Sequence, residues 1–546
     1  MTQEEVVDVL VAGTGAAGLC AAIAAADAGA KVLVVESADR WGGTTMRSGG
    51  GLWLPDNPVM RRAGIADSRA EALTYLKAAI GDVGPASSTA RREVFVDTVD
   101  ELVTTLERHG VRWSAAKKYP DYYPERPGGK IGRSIEPRPY DTKRLGSWIE
   151  QSRVKDGVPL AVLNDDFYEL NRAWSTPSGF VRGARLVFRV LGGLVTGKRQ
   201  VGMGAALACS LMEIVRQQGT EVRLGTPLAE LLVEDGAVVG AVVGPPEDRR
   251  AVRARGGVVL GAGGFAHRTE WRQKHHGVPG WSAASQDDQG TAIEAGARAG
   301  GALALMDDAW WGAGVDTRGA GMNGFVLSER SMPYSIVVDS SGARYVNEST
   351  SYIDFGHAML ERDQQVPAIP SWVVMDVRAR RRYLNTSLLN GRERHVANGT
   401  LVYADTLEEL ARKLGLDPDT FRDTVQRFNG FARTGKDLDF GRGDSAYDRY
   451  YSDPTVKPNP NLAPIERGPF SALRIVPGDL GTKGGLLTDE HARVLREDGS
   501  AIAGLYAAGN TTASVMGRTY PGPGSTIGPA AVFGWIGGQQ AAGRRG

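Results

Sequence analysis

Three glycines, Gly13, Gly15 and Gly18, follow the apolar run Val6–Val11 in the spacing G-x-G-x-x-G, and Glu36 closes a second apolar run, Lys31–Val35. Those residue types at that spacing bind a dinucleotide. Gly13 permits a tight turn, Gly15 lets backbone approach a pyrophosphate, and Gly18 lets a helix pack close on the preceding strand. The helix that must follow, Leu19–Ala28, is built of small residues and offers free N–H groups and a positive end to the phosphates. Glu36, 18 residues past Gly18, stands where a carboxylate accepts hydrogen bonds from a ribose. The order strand, glycine turn, helix, strand, acid predicts an α/β, Rossmann-like fold at this end of the chain.

Other glycine clusters need positioning by further elements. Trp41-Gly42-Gly43-Thr44-Thr45 runs through Ser48–Gly51 to Leu52-Trp53, a loop whose backbone could pass close to a large planar ligand. Its tryptophans argue against a flexible surface loop. The apolar strand Ala251–Leu260 leads into Gly261-Ala262-Gly263-Gly264, a second turn able to lie against the nucleotide. The last clusters are Gly481–Gly485, Gly504–Asn510 and Arg518–Ala530. With such motifs at both ends, the nucleotide domain reads as discontinuous, residues 1–302 and 481–546. An α+β catalytic domain is inserted over residues 303–480, where aromatics are denser. Helical spacing predicts helices over Ala66–Ala78, Ala90–His109, Gly204–Gln218, Thr406–Leu414 and Thr420–Arg433, the last capped by Asp417 or Asp419. Leu228–Gly244 has the form of a hairpin.

Composition removes several classes of function. A chain of 546 residues exceeds one ordinary core. Its 64 Lys+Arg against 63 Asp+Glu do not point to nucleic acid. The two cysteines, Cys20 and Cys209, read as small core residues in a reducing compartment. No His/Cys cluster has metal-ligand spacing. No run of eighteen apolar residues and no basic-then-apolar leader is found, so a cytoplasmic protein is expected. Asn171–Met212 has no acid but carries Arg172, Arg182, Arg185, Arg189, Lys198 and Arg199 among Phe, Val and Leu. It reads as a lid or solvated helix face, with peripheral membrane contact as the alternative. Asp307-Asp308-Ala309-Trp310-Trp311 reads as a packed aromatic pair at a domain junction rather than a substrate contact.

With its glycine motifs in this order, the chain resembles, over nearly its whole length, the flavoprotein superfamily that includes fumarate reductase and aspartate oxidase. The resemblance implies FAD. The N-terminal fold would hold it through Gly13, Gly15, Ala16, Ala17, Gly18, Glu36 and Ser37. The loop would add Gly42, Gly43, Thr44, Thr45, Ser48, Gly49 and Gly50, and the second turn Ala262, Gly263 and Gly264. Gly509, Asn510, Ser525, Thr526 and Ile527 would complete it, at a helix whose N-terminus faces the flavin pyrimidine edge. Three stretches resemble 3-ketosteroid Δ1-dehydrogenases more particularly: SGGGLWLPDNP (Ser48–Pro58), YPDYYPERPGG (Tyr119–Gly129) and TYPGPGSTIGPA (Thr519–Ala530). RYVNESTSY (Arg344–Tyr352) is shared in outline by wider relatives.

That resemblance implies a definite chemistry. A double bond enters between C1 and C2 beside a C3 ketone, with the C1 hydride going to flavin N5 and the C2 proton to a base. Tyr520 and the Gly524 N–H match the pair that stabilises the ketone oxygen. Tyr352 matches the base, with Tyr334 and Tyr345 as competitors. A phenol of pKa about 10 needs help to act so, and Tyr122 (or its neighbour Tyr123) matches the supporting phenol. Tyr119 and Trp53 would contact the steroid. With no second cofactor motif, an external electron acceptor is expected. The stretch Asn171–Gln200 is longer than the resemblance suggests and could reshape the substrate entrance. Rival readings are a dehydrogenase acting at another ring position such as Δ4, or on another cyclic ketone. A non-catalytic FAD protein and a fumarate-reductase-like enzyme are further removed. The last needs His and Arg together on two carboxylates, and none of the seven histidines sits in a matching motif.

Overall fold

Glu5–Ala12 pairs in parallel with Val32–Val35 on one side and Arg250–Leu260 on the other in a computed structural model, which describes residues 5–157, 161–195, 197–319, 324–385 and 392–543. Ala501–Ala507 joins beyond Arg250–Leu260 and Glu221–Arg223 beyond Val32–Val35, both in parallel. One sheet thus takes strands from both ends of the chain. Val9, Leu10, Val11, Val258, Val259 and Leu260 are wholly buried, as befits parallel strands covered on both faces. The hairpin Leu228–Glu234 with Ala237–Val243 adds to the same sheet, turning at Asp235 and Gly236, whose φ values are 49° and 79°. Positive φ at both positions matches the twist of a tight hairpin.

The helix Ala16–Asp27 lies against the C-terminal helix Ile527–Ala541. Their approach is so close that a Cβ at Gly534 or Gly538 would stand 2.3 or 2.2 Å from the carbonyl oxygens of Ala17 or Ala21. Glycine is therefore required there, and the contact ties the chain's end to its first helix.

A second sheet is built around Phe470–Thr482, antiparallel to Ala309–Val315, Ser371–Met375 and Leu401–Ala404, with Ser335–Val338 beyond. Tyr352–Asp363 packs on Ala309–Val315, with Ser351 capping it by accepting from the Asp354 N–H. Tyr352 is thereby the first residue of a helix packed on the second sheet. Leu407–Leu414 is capped by Thr406 and Pro418–Thr434 by Asp417, not Asp419.

Two local expectations are revised and a third gains detail. Ala90–His109 is two helices, Thr89–Asp97 and Val99–Arg108, interrupted at Thr98. The Gly42–Gly51 loop contains a one-turn helix, Gly43–Arg47, started by Gly42 at φ 109° and anchored by buried Thr45 and Met46. In the acid-free stretch, Pro177–Val195 is a helix with a solvent-exposed face, and that face is largely apolar with Arg185 on it. Phe180, Val181, Val187, Phe188 and Leu191 are exposed, while Arg182 and Arg189 turn inward to Asp166. Cys20 and Cys209 are buried and unbridged, and Trp310 and Trp311 are buried in their strand. Among the described residues no helix is long and apolar enough to cross a membrane.

Candidate active site

Two helix N-termini open into one cavity. Gly15 caps Ala16–Asp27 in extended conformation and Thr526 caps Ile527–Ala541, neither with a side-chain hydrogen bond. Uncapped N–H groups at a helix start need a partner, and an anionic ligand is a suitable one. Gly13 has φ 104°, and a Cβ there would be 2.4 Å from the Gly261 oxygen, so the two glycine turns press together beneath the cavity. A Cβ at Gly18 would be 1.9 Å from the Gly13 oxygen; Gly18 serves close packing and does not line the wall. The Glu36 carboxylate is on the wall, fixed by Thr14 N–H (3.0 Å), Thr14 Oγ1 (2.6 Å) and Ala38 N–H (3.1 Å). Ser37 Oγ donates a fourth, longer bond at 3.2 Å, so a ribose hydroxyl would take the place of that rotatable hydroxyl.

Ala16, Ala17, Ser37, Gly43, Thr44, Thr45, Ser48, Gly49, Gly50, Ala262, Gly263, Gly509, Asn510, Thr526 and Ile527 also line the cavity. Gly42, Gly264 and Ser525 stand behind it. The Gly42 N–H donates to Thr14 Oγ1, Gly264 is closed in by the Thr482 hydroxyl, and Ser525 bonds the Gly522 carbonyl. Glycine walls, two helix starts whose cap residues supply no side-chain bond (Ala16 N–H is met by the Thr45 hydroxyl at 2.9 Å) and a ribose-height acid together fit FAD. Sequence reasoning did not single out Asp288. The structure puts it on the cavity wall, fully buried, bonded by the Thr44 hydroxyl at 3.3 Å. Burial pushes its carboxyl up to about 7. Among the described residues no three His, Cys, Asp or Glu side chains gather as metal ligands.

At another part of the same cavity three phenols meet. The Tyr520 ring stacks on Tyr122 at 5.0 Å between centroids, and Tyr352 stands edge-on to both, at 5.3 Å from Tyr122 and 4.8 Å from Tyr520. Tyr123 points elsewhere, its hydroxyl donating to Asp354 and its ring under Arg126. Tyr345 bonds Ser371 and Tyr334 lies under Arg378; neither lines the cavity. Burial raises the pKa of Tyr122 and Tyr352 well above the ordinary phenol value, and Tyr122's hydrogen bond pulls Tyr352 back down. Burial raises Tyr520 too, against the Thr526 hydroxyl, Tyr352 and the Gly524 N–H, which all favour its anion. The Gly524 N–H and the Tyr520 oxygen thus converge.

The turn that carries them is held from outside. Tyr75 Oη and Tyr122 N–H donate to the Pro521 carbonyl at 2.5 and 2.9 Å, and Ser134 Oγ to the Pro523 carbonyl at 2.5 Å. Gly524 has φ 99°, and a Cβ there would be 2.4 Å from the Gly51 oxygen and 2.6 Å from the Trp53 nitrogen. Glycine is needed to seat turn on loop. Trp53, expected on the substrate wall, is not there. Its ring is wholly buried against Phe95, and its Nε1 donates to Asp121 at 2.7 Å, so it braces the turn from beneath. Tyr119 does line the cavity, stacked on Tyr450 at 4.5 Å and hydrogen-bonded to Tyr451.

Comparison with known proteins agrees with this geometry. The FAD binding domain family matches residues 8–527. A 3-oxosteroid 1-dehydrogenase of Mycolicibacterium smegmatis is 46% identical, over 98% of this chain and 97% of its own length. The crystal structure of 3-ketosteroid Δ1-dehydrogenase from Sterolibacterium denitrificans with 1,4-androstadiene-3,17-dione superimposes with a TM-score of 0.93 at 35% identity, covering 99% of this chain and 100% of that one. A 4-oxocyclohex-2-ene-1-carboxylate 5-dehydrogenase of Sinomonas cyclohexanicum is 36% identical, over 98% of this chain and 93% of its own length. Fold and site are those of an FAD-dependent oxidoreductase. The chain belongs to the FAD binding domain family and, within it, to the 3-oxosteroid 1-dehydrogenases.

Proposed function

We propose that the protein dehydrogenates the A ring of 3-ketosteroids between C1 and C2, giving 1-ene-3-one products. The observation that carries this reading is the meeting of Tyr122, Tyr352, Tyr520 and Gly524 in the cavity that both uncapped helices enter. Tyr520 O–H and Gly524 N–H would grip the C3 oxygen and stabilise charge as the C2–H bond weakens. Tyr352 would take the C2 proton as its phenolate. Tyr122, whose hydrogen bond already lowers the Tyr352 pKa, would stabilise that anion against burial. When bound, FAD supplies the acceptor for the hydride that leaves C1. Electrons would then pass to an external acceptor, since the chain carries one dinucleotide fingerprint.

The rings of Tyr119, Tyr122 and Tyr352 favour a flat apolar substrate over a carboxylated ring ketone. The two arginines on the cavity wall are committed at the Asp288 end, Arg47 to the Ala284 carbonyl and Arg153 to Asp156 and Asp287. The test is anaerobic mixing of the yellow protein with 4-androstene-3,17-dione. Bleaching of the flavin absorbance with formation of the 1,4-diene is expected. Retained colour would overturn the reading, and a different product double bond would move it to another ring position.

The same proposal covers the protein's setting. Residues 303–480 would form the substrate domain, residues 1–302 and 481–546 the FAD domain, and the reduced cysteines favour the cytoplasm. The exposed apolar stripe of Pro177–Val195, flanked by exposed Arg185, Lys198 and Arg199, suits the surface of a membrane with anionic lipids.

A further inference from the structure

Outside the cavity, behind the turn that carries Tyr520, stands a buried cation to which the reaction above gives no role. Lys483 is completely buried. Its Nζ donates to the carbonyl oxygen of Thr519, the residue before Tyr520, at 2.6 Å. The same ammonium lies 4.2 Å from the centroid of the Trp310 ring. Trp310 is fixed on its other edge, Nε1 donating to Asn510 Oδ1 at 3.0 Å, and its ring meets that of Tyr520 edge-on at 5.0 Å. Lys483, Trp310 and Tyr520 therefore form one packed line, and a second path runs from Lys483 through the Thr519 carbonyl to the same tyrosine.

Burying an ammonium without a paired carboxylate is costly, so its partners indicate what it is there for. Asp308 and Asp354 are the carboxylates that act on Lys483. Asp308 Oδ1 is bonded to His357 Nε2 and to the Ala309 N–H, at 2.8 and 2.9 Å, and its Oδ2 has no hydrogen-bond partner among the described residues. Asp354 is bonded by the Tyr123 and Ser351 hydroxyls, at 3.0 and 2.8 Å. Among the described residues Lys483 makes no ion pair within 4.0 Å. Burial lowers its pKa to about 7, against the pull of Asp308, as expected of an amine taken out of water with no ion pair.

We propose that Lys483 is a positioning residue that sets the place and donor direction of Tyr520, by holding the Thr519 carbonyl and bracing Trp310 against the phenol ring. This rests on the reading of Tyr520 as the group that grips the ketone. A displacement approaching 1 Å at such a group costs on the order of a hundredfold in rate.

The test uses the FAD-bound enzyme with a 3-ketosteroid and a redox dye. Lys483→Met is expected to lower kcat roughly ten- to a hundredfold while KM moves by less than about threefold and FAD stays bound. Lys483→Arg, which keeps charge and donor, recovers part of the loss. In a Tyr520→Phe background the added Lys483→Met change shrinks to within about twofold, because the coupled group is gone. An unchanged kcat in Lys483→Met overturns the proposal. So does an equal loss in both backgrounds, the pattern of a residue that only supports the fold. If the methionine variant does not accumulate, Lys483→Gln takes its place in the same comparison. Full turnover in Tyr520→Phe alone would instead bring down the ketone-gripping reading, so the two failures are separable.

Discussion

Replacing Gly524 by alanine probes the seat of the turn with the smallest possible group. A Cβ at this position meets the Gly51 oxygen at 2.4 Å, the Gly51 carbon at 2.5 Å and the Trp53 nitrogen at 2.6 Å. All three are backbone atoms and cannot rotate away. The turn must lift by roughly 0.6 Å before the nearest contact reaches 3.0 Å. A φ of 99° adds strain for any side chain, of about 1–3 kcal/mol. Lifting the turn carries Tyr520 and the 524 N–H away from the ketone oxygen together. The expected loss in kcat/KM is on the order of a hundredfold, about 2.7 kcal/mol of transition-state stabilisation. The assay is steady-state dye reduction with a 3-ketosteroid, alongside FAD content by absorbance. FAD should stay bound, because the glycine turns at Gly13 and Gly261 are untouched. A control is Gly430→Ala in the helix Pro418–Thr434, where a Cβ meets nothing within 4 Å. That change should leave turnover alone and add up to about 1 kcal/mol of stability. Turnover of Gly524→Ala within about threefold of the parent would refute the claim that this backbone seat places the donors.

Tyr352→Phe should abolish exchange of the C2 proton with solvent as well as dehydrogenation, read by deuterium uptake into the steroid; exchange that persists would put the base on another residue. For Asp288, burial raises the folded-state pKa to about 7 from an ordinary 3.8. Its stabilising contribution is therefore full below pH about 4 and lost as pH rises towards 7. Asp288→Asn in FAD-depleted protein should gain thermal stability at pH 8 relative to pH 4, and an equal effect at both pH values would show the carboxyl to be ordinary. Phe180→Asp with Phe188→Asp should cut binding to anionic phospholipid vesicles at least tenfold, from the loss of about 1.5–3 kcal/mol per buried ring. Unchanged co-sedimentation would leave the exposed stripe without a lipid role.

The nucleotide half of the protein was legible wherever function depends on neighbours in the chain. Gly13, Gly15, Gly18 and Glu36 sit in one turn and at the end of one strand, so spacing alone picked them out; Gly13 and Gly18 make close backbone contacts, and Gly13, Gly15 and Glu36 line the cavity. Recurrence of glycine motifs at both ends likewise foretold a sheet containing both Glu5–Ala12 and Ala501–Ala507.

Orientation was another matter. Tyr122 and Tyr123 are adjacent and chemically alike, and only Asp354 and Arg126, brought in from elsewhere, draw Tyr123 away from the cavity. Trp53 is aromatic on a glycine-rich loop in either reading; Asp121 and Phe95 decided that it faces down. Asp166 holds Arg182 and Arg189 of Pro177–Val195, leaving a side with Phe180, Phe188 and Arg185 in solvent. Lys483, set among glycines, carries no local sign of burial. What a residue type can do chemically, and what its near neighbours in sequence can shape, is written in the chain. Which way it points depends on partners far along the chain, and those contacts exist only once the two sheets and the helices between them have packed.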